Sequence, residues 1–326
     1  MSKLVTIFGG SGFVGRHIAQ RMAKQSWRVR VAVRRPNEAM FVKPYGTVGQ
    51  VEPVFCNIRD DVSVSEALDG ANAVVNCVGI LANSGKNTFE TVQAEGASRI
   101  ARIATEKNIE RLVHLSALGA DAESESSYAR TKAAGEAAIL ENFPTAMILR
   151  PSVIFGADDQ FFNRFASMSR MGPILPIVGG ETLFQPVYVD DVAKAAVKGV
   201  LGEASGRFEL GGPQVNSLRG WVDDILEVIN RNKIVLNLPF FVGRMMGWSF
   251  DIGCKMLFGL LDNKMLTRDQ VKLLRHDNIV AEDAKGFEAL GIQPIAPDAI
   301  IADYLWRFRP SGQYDAIKES AKNLKV

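Results

Sequence analysis

Within the first fifteen residues an apolar run, Leu4–Phe8, ends in Gly9-Gly10-Ser11-Gly12-Phe13-Val14-Gly15. Val14, Ile18 and Met22 then recur every four residues, as on one face of a helix. A strand that passes into a helix through glycines three apart has few ways to fold. Gly9 and Gly12 permit a tight turn and let backbone N–H groups approach a pyrophosphate; Gly15 permits helix and strand to lie close together. The phosphate then meets a helix N-terminus, whose free N–H groups and dipole favour an anion. Gly10, Ser11, Phe13 and Val14 complete the backbone of this candidate cradle.

The first half of the chain continues in the same alternation. Val29, Val31 and Val33 alternate with Arg28, Arg30 and Arg34, and Val51–Ile58, Ala73–Val78, Arg111–Leu115 and Ala146–Leu149 are further strand candidates. Helical patterns over Val62–Leu68, Phe89–Lys107 and Tyr128–Asn142 separate them. Strand and helix in strict alternation imply βαβ units and a parallel sheet. Val74–Val75 and Leu112–Val113 are apolar on both faces, as a sheet covered on two sides requires. The expectation is an α/β chain with a Rossmann-like doubly wound parallel sheet over residues 1–150. After Pro151 glycine and proline cluster, and strand candidates (Phe184–Val189, Arg207–Leu210, Ile234–Leu238) mix with helices (Asp190–Leu201, Ser217–Asn230). This predicts a smaller α+β domain over 151–326, with some segments returning to the main sheet. Asp190 and Asp191 read as the N-cap and first-turn acid of the helix they open.

With 326 residues, 47% of them apolar and 23% charged, the chain has room for such a core and is not a disordered one. Lys and Arg number 38 against 36 Asp and Glu, so no global charge directs it to nucleic acid. Cys56, Cys77 and Cys254 form no CxxC pair, which leaves neither a zinc signature nor a disulfide framework. They read as small buried apolar residues in a reducing compartment. His17, His114 and His276 have no metal spacing, so no metal site is expected. With a strand-like run beginning at Leu4, the expectation is a chain kept where it is translated or a processed form whose leader is missing. Charge is unevenly spread. Residues 1–35 hold eight Lys or Arg and no acid, and residues 231–276 hold eight against three acids. The first cluster suits a phosphate, the second an anionic surface. Arg34-Arg35 directly follow the second strand, where an NAD binder usually carries an acid for the ribose 2′-OH. Two permanently charged guanidinium forks suit a 2′-phosphate instead, so the expected cofactor is NADP(H).

Tyr128 and Lys132 stand at i and i+4 at the start of a predicted helix and share a face. A lysine ammonium beside a phenol favours phenolate, and the same lysine can hold a ribose. With the glycine spacing, this pattern resembles the extended or atypical short-chain dehydrogenase/reductase superfamily. The resemblance extends to four more segments. Cys56-Asn57-Ile58 stands where the family contacts adenine, with Asn57 in place of the usual acid. Cys77-Val78-Gly79 stands where the family passes the cofactor. Leu149-Arg150-Pro151-Ser152-Val153-Ile154-Phe155-Gly156 matches the segment beside the nicotinamide, and Val187-Tyr188-Val189-Asp190-Asp191-Val192-Ala193 matches the entry into a helix. The resemblance implies dinucleotide contacts from Asn57, Ile58, Cys77, Val78, Gly79, Pro151, Ser152 and Val153. It also implies a reductase triad of Ser116, Tyr128 and Lys132. The last two also bind ribose, so the triad is compatible with a cofactor that never turns over.

Residues 239–261 are long and apolar enough to consider for a membrane, but Arg244, Asp251 and Lys255 interrupt them on one helical face. Phe240, Phe241, Met245, Trp248, Ile252 and Leu257 fill the others. Such a helix is expected to lie at an interface rather than span one, with its basic continuation drawn to anionic lipid. A core helix, or a helix in a partner's groove, satisfies the same pattern. Further along, Leu266-Thr267-Arg268-Asp269-Gln270-Val271-Lys272-Leu273-Leu274 and Asp277-Asn278-Ile279-Val280 resemble the nucleotide-binding accessory subunits of respiratory complex I, in their bacterial form. So do Phe161-Phe162-Asn163-Arg164-Phe165-Ala166 and Phe184-Gln185-Pro186-Val187-Tyr188-Val189. That resemblance implies a tightly held NADPH and a place among complex I subunits, chiefly the quinone module of the peripheral arm. It also implies a peripheral position at the membrane surface, on the cytoplasmic side of a bacterial inner membrane. The alternative that the residues leave open is a stand-alone NADPH-dependent reductase or epimerase acting on a lipid-like or quinone-precursor substrate.

Overall fold

The computed structural model describes residues 2–242, 244–245, 267–310, 312 and 314. Its main body is a sheet of seven strands. β1 (Leu4–Phe8), β2 (Arg28–Val33), β3 (Val51–Phe55), β4 (Ala73–Asn76), β5 (Arg111–Leu115) and β6 (Met147–Pro151) are joined at the edge by β11 (Gly206–Leu210). The order β11-β6-β5-β4-β1-β2-β3 is parallel throughout. The chain therefore reverses its direction of growth between β1 and β4, and a ligand crevice opens at the carboxyl ends of strands at such a switch point.

Period-two alternation divides the side chains between two layers. Val5, Ile7, Val29, Val31, Val75, Val113, Met147 and Leu149 bury against helices α1 (Phe13–Lys24) and α6 (Val189–Leu201). Phe8, Ala32, Val74, Leu112 and Ile148 bury on the opposite face, against α2 (Asp61–Leu68), α3 (Glu95–Glu106) and α4 (Ser127–Asn142). Phe287, Leu290 and Ile292 return late in the chain to close the first layer. A third apolar cluster lies outside the sheet. It gathers Phe155, Phe162, Leu175, Ile177, Trp221, Val222, Ile225, Ile301 and Leu305 around α5 (Phe162–Met168) and α7 (Leu218–Val228).

Several predicted boundaries change. β3 stops at Phe55 and β4 at Asn76, so Asn57 and Cys77 lie in the turns beyond them. The predicted strand Phe184–Val189 is broken. β9 (Leu183–Phe184) pairs with β12 (Asn216–Ser217), and β10 (Val187–Tyr188) pairs with β7 (Ile154–Phe155). Between them Pro186 offers no amide, and the Gln185 side chain bonds the Gly212 carbonyl at 2.8 Å. The predicted helix Phe89–Lys107 begins with a π stretch, Glu90–Ala94, before α3. The N-cap of α6 is Tyr188, not Asp190. Asp190 instead pairs with Arg21 of α1, and fully buried Asp191 accepts from Lys194 (2.7 Å) and the Ile295 amide (2.7 Å). These two acids fasten α6 to α1 and to the tail.

β13 (Ile234–Leu238) pairs with β8 (Ile174–Val178) in a two-stranded ribbon beside the third cluster. Its outer side is apolar: Ile174, Ile234 and Leu236 are exposed, as are Phe241 and Met245 just beyond. The guanidinium of Arg275 lies 5.7 Å over the Phe240 ring. Most of the interfacial helix expected over 239–261 falls at residues 243 and 246–261, including Trp248, Asp251 and Lys255, which lie outside the described residues. Among the described residues no helix is long and apolar enough to cross a membrane.

Candidate functional site

The glycine loop sits at the β1 end of the crevice. Gly9 has φ +72°, a left-handed conformation that suits glycine, and a side chain there would press on the Cys77 carbonyl and Val78 at 3.3 Å. Gly12 donates to the Gly9 carbonyl at 2.9 Å and stands at the N-cap of α1 without a side-chain cap or a first-turn acid. The opening amides of α1 are left for an anion. Gly15 packs directly against the backbone of Gly9 and Gly10 at the end of β1. The Phe13 ring lies against Gly156, so the loop also touches the segment that follows β6.

Arg34 and Arg35 are both exposed beyond β2, with Arg35 paired to Glu38 at 3.0 Å. Asn57 uses its side-chain oxygen to accept from the Arg59 amide (3.2 Å), and Ile58 is buried against Gly96 of α3. Cys77, Val78 and Gly79 follow β4 and face the glycine loop on one side and Lys132 on the other. Pro151 ends β6 in a buried position. Ser152 donates to the Asn278 side-chain oxygen at 2.7 Å, and the Val153 amide donates to the same atom at 3.2 Å. The Ser152 hydroxyl is thus engaged by the chain's own tail.

Tyr128 and Lys132 occupy the first two turns of α4, with the Lys132 ammonium 6.0 Å from the Tyr128 ring centroid. Lys132 is buried and donates to the Leu115 carbonyl at 3.1 Å. Burial pulls its pKa down to about 8, while Glu136 and Cys77 hold it up. Glu136 is itself buried and bound in fork geometry by Arg150, with both distances 2.8 Å. Desolvation raises the Tyr128 phenol to about 12. Its ring stands edge-on to Phe89 at 5.9 Å.

Ser116 follows β5, two residues beyond His114 on the same face of the sheet. The Val78 amide donates to Asn76 Oδ1, so the Asn76 amide nitrogen is assigned toward His114 Nδ1 at 3.1 Å and the imidazole proton to Nε2. Burial lowers the His114 pKa well below its usual value, and nearby Lys132 lowers it too. Three buried polar atoms have no partner among the described residues: Ser116 Oγ, His114 Nε2 and Gln93 Oε1. Buried polar atoms are normally paired, so these call for a ligand or ordered water. With the uncapped N-terminus of α1, they fit a dinucleotide laid from the glycine loop toward Ser116 and Lys132.

Sequence reasoning missed four contributors. Arg16 ties the loop to the far side of the crevice, through its ion pair with Asp158 at 2.8 Å. Gln93 enters through the π stretch. Asp269 and Asn278 arrive from the tail. The Thr267-x-x-Gln270 capping box that sets Asp269 in place was visible in the sequence, but its target was not.

A sequence model of the NAD dependent epimerase/dehydratase family matches residues 5–207. Over 316 residues the chain is 32% identical to the mitochondrial protein of Arabidopsis thaliana named NADH dehydrogenase (ubiquinone) 1 alpha subcomplex subunit 9, covering 95% of this chain and 79% of that one. It is 28% identical to the NADH-ubiquinone oxidoreductase 40 kDa subunit of Neurospora crassa, covering 95% and 80%. A protein of Caulobacter vibrioides named ceramide reductase is 30% identical over 194 residues, 60% of each chain. Among solved structures, Bordetella bronchiseptica WbmG in complex with NAD superposes with a TM-score of 0.68 at 14% identity, covering 97% of this chain and 95% of that one. Thermus thermophilus UDP-glucose 4-epimerase with NAD gives 0.57 at 19% identity, covering 72% and 86%. At these identities the structures speak for the fold. The glycine loop, the sheet order and the similarity over almost the whole length converge: this chain belongs to the NAD dependent epimerase/dehydratase family, the extended short-chain dehydrogenases, and within it to the family of the complex I alpha subcomplex subunit 9 proteins.

Proposed function

We propose that the chain is an NADP(H)-binding accessory subunit of a membrane-associated NADH:quinone oxidoreductase, respiratory complex I, with the nucleotide held mainly as a structural element. The observation that carries this reading is the similarity to mitochondrial complex I subunits over 95% of the chain, tail included. The glycine loop and α1 would hold the pyrophosphate, Arg34 and Arg35 the 2′-phosphate, and Tyr128 and Lys132 the nicotinamide ribose. A bound nicotinamide dinucleotide would supply hydride chemistry. The exposed apolar side of the β8–β13 ribbon, continued by Phe241 and Met245, supports a place beside the quinone module and the membrane surface.

The test is purification of the tagged chain from its native membranes in mild detergent. NADH:quinone oxidoreductase subunits should accompany it, and acid-quenched protein should release NADP(H). Recovery of a free monomer with turnover on a carbonyl substrate would sink the subunit reading. It would favour a stand-alone reductase or epimerase acting on a lipid-like or quinone-precursor substrate, a second reading favoured by the unpartnered Ser116 hydroxyl and the likeness to the protein named ceramide reductase.

The cofactor assignment has its own test. In Arg34→Asp with Arg35→Asp, carboxylates replace the guanidinium forks at the 2′-phosphate. Affinity for NADPH should fall by roughly 100-fold or more, since charge-assisted hydrogen bonds contribute about 1.5–3 kcal/mol each. Affinity for NADH should change far less. Equal losses measured by calorimetry would remove these arginines from the site.

A further inference from the structure

Residues 267–281 pass over the crevice end of the sheet and bond to both sides of the candidate nicotinamide site. At one end the Asp269 carboxylate accepts from the amides of Ser127 (2.9 Å) and Tyr128 (3.1 Å) and from the Ser126 hydroxyl (2.7 Å). Ser126 Oγ in turn accepts from the Ala129 amide at 3.3 Å, and the Arg130 amide bonds the Ser126 carbonyl. The opening amides of α4 are thus all satisfied, two of them by a residue more than 140 positions away in sequence. At the other end Asn278 accepts from the Ser152 hydroxyl and the Val153 amide, while its backbone pairs with Leu183 and Gln185. Between these points the Leu274 carbonyl accepts from Thr182 at 2.5 Å.

We propose that Asp269 and Asn278 are positioning residues for the nicotinamide half of a bound dinucleotide. Through them the segment 267–280 and the dinucleotide stabilise one another. The proposal rests on the reading above, in which Tyr128, Lys132, Ser152 and Val153 line that half. The physical link is short. Tyr128 lies in the first turn of α4 and Lys132 in the second. A helix whose first amides lose their acceptors frays from that end. The acceptor is a carboxyl group placed at a helix N-terminus, where the free amides and the dipole favour it. Thermodynamic linkage makes the effect mutual: whatever Asp269 and Asn278 add to dinucleotide affinity, the dinucleotide adds to the docking of this segment.

The experiment uses the full chain freed of co-purified nucleotide, with Asp269→Ala and Asn278→Ala made separately. Calorimetric titration compares NADPH with adenosine 2′,5′-bisphosphate, which ends before the nicotinamide ribose. Each variant should weaken NADPH on the order of tenfold, the scale of a lost helix cap or buried hydrogen bond, and leave the fragment within about twofold. Equal weakening of both ligands would make the two residues merely structural and overturn the proposal, as would unchanged NADPH affinity. A second measurement needs no variant. In the wild-type chain NADPH should slow hydrogen exchange at the amides of 127–130 and 267–280; exchange unaltered over 267–280 overturns the coupling. Lys132→Met separates the two failures. If it weakens NADPH while the tail variants do not, only the coupling falls. If wild-type chain binds neither NADPH nor NADH, the dinucleotide reading itself falls and takes the coupling with it.

Discussion

Gly15→Ala is expected to destabilise the chain and to release its dinucleotide, although alanine is ordinarily the better helix residue by about 1 kcal/mol. A β-carbon at position 15 would meet the carbonyl oxygen of Gly9 and come within 2.7 Å of Gly10 Cα and 3.0 Å of the Gly9 carbonyl carbon. All three are backbone atoms, so no side chain can swing aside; the loop or α1 must move. Movement of the loop strains the Gly12 amide bond to Gly9 and the contact of Gly9 with Cys77. Overpacking of this kind typically costs about 1–3 kcal/mol, which in a chain of this size lowers the melting temperature by several degrees. The loss of dinucleotide affinity should be larger, because the amides aimed at the pyrophosphate are displaced with the loop. Gly12→Ala is the control. Its β-carbon would meet only the Gly9 oxygen, at 3.1 Å, and its effect on stability should be smaller. A Gly15→Ala chain that melts like wild type and keeps its nucleotide would refute the close approach of loop and helix.

What the sequence made legible was governed by local period. The buried strands repeat every two residues and the helices every four, so Val29–Val31, Val74–Val75 and Ile18–Met22 announced their elements and their faces. The open helix N-terminus at Gly12 was legible for the same reason, because strand, glycines and helix are adjacent in the chain. Position 186 was legible in principle: a proline within Phe184–Val189 argues against one continuous strand. The pairings that assemble the crevice were not legible. Asp269 reaches the first turn of α4, Asn278 reaches Ser152, and Asp190 reaches Arg21, each across a sequence separation that carries no periodic signal. The reading of Asp190 as a cap failed because a local motif sufficed to explain it, and the structure used the residue for a tertiary contact instead. Desolvation raises the Tyr128 phenol, a property of the assembled site that the Tyr-x-x-x-Lys spacing does not carry.

Asp159→Ala is expected to give the largest loss of stability among simple side-chain truncations near the site, about 3–5 kcal/mol, because it strands several buried donors at once. The Asp159 carboxylate is buried. One oxygen accepts from the amides of Phe161 (2.9 Å) and Asn163 (3.0 Å), and the other accepts from the Gly156 amide (3.1 Å) and the Tyr304 hydroxyl (2.7 Å). It thereby joins the segment after β7, the start of α5 and the helix Ile301–Leu305. Asp159→Asn keeps one acceptor oxygen but turns an amide toward Gly156 and Tyr304, and should cost roughly half as much. Desolvation raises the Asp159 pKa above its usual value despite the four donors. A raised folded-state pKa means that this group's own contribution is fully present below the unfolded pKa and falls as pH rises through the folded one. The stability gap between wild type and the Ala variant should therefore narrow as pH rises from just below 4 through that raised value. Denaturant unfolding at several pH values reads both effects. The damage should also reach the dinucleotide, because Gly156 supports the Phe13 ring and Asp158 holds Arg16 beside the glycine loop. A loss below about 1 kcal/mol, in the range of an ordinary surface substitution, would mean that water replaces the carboxylate and that this junction does not brace the site.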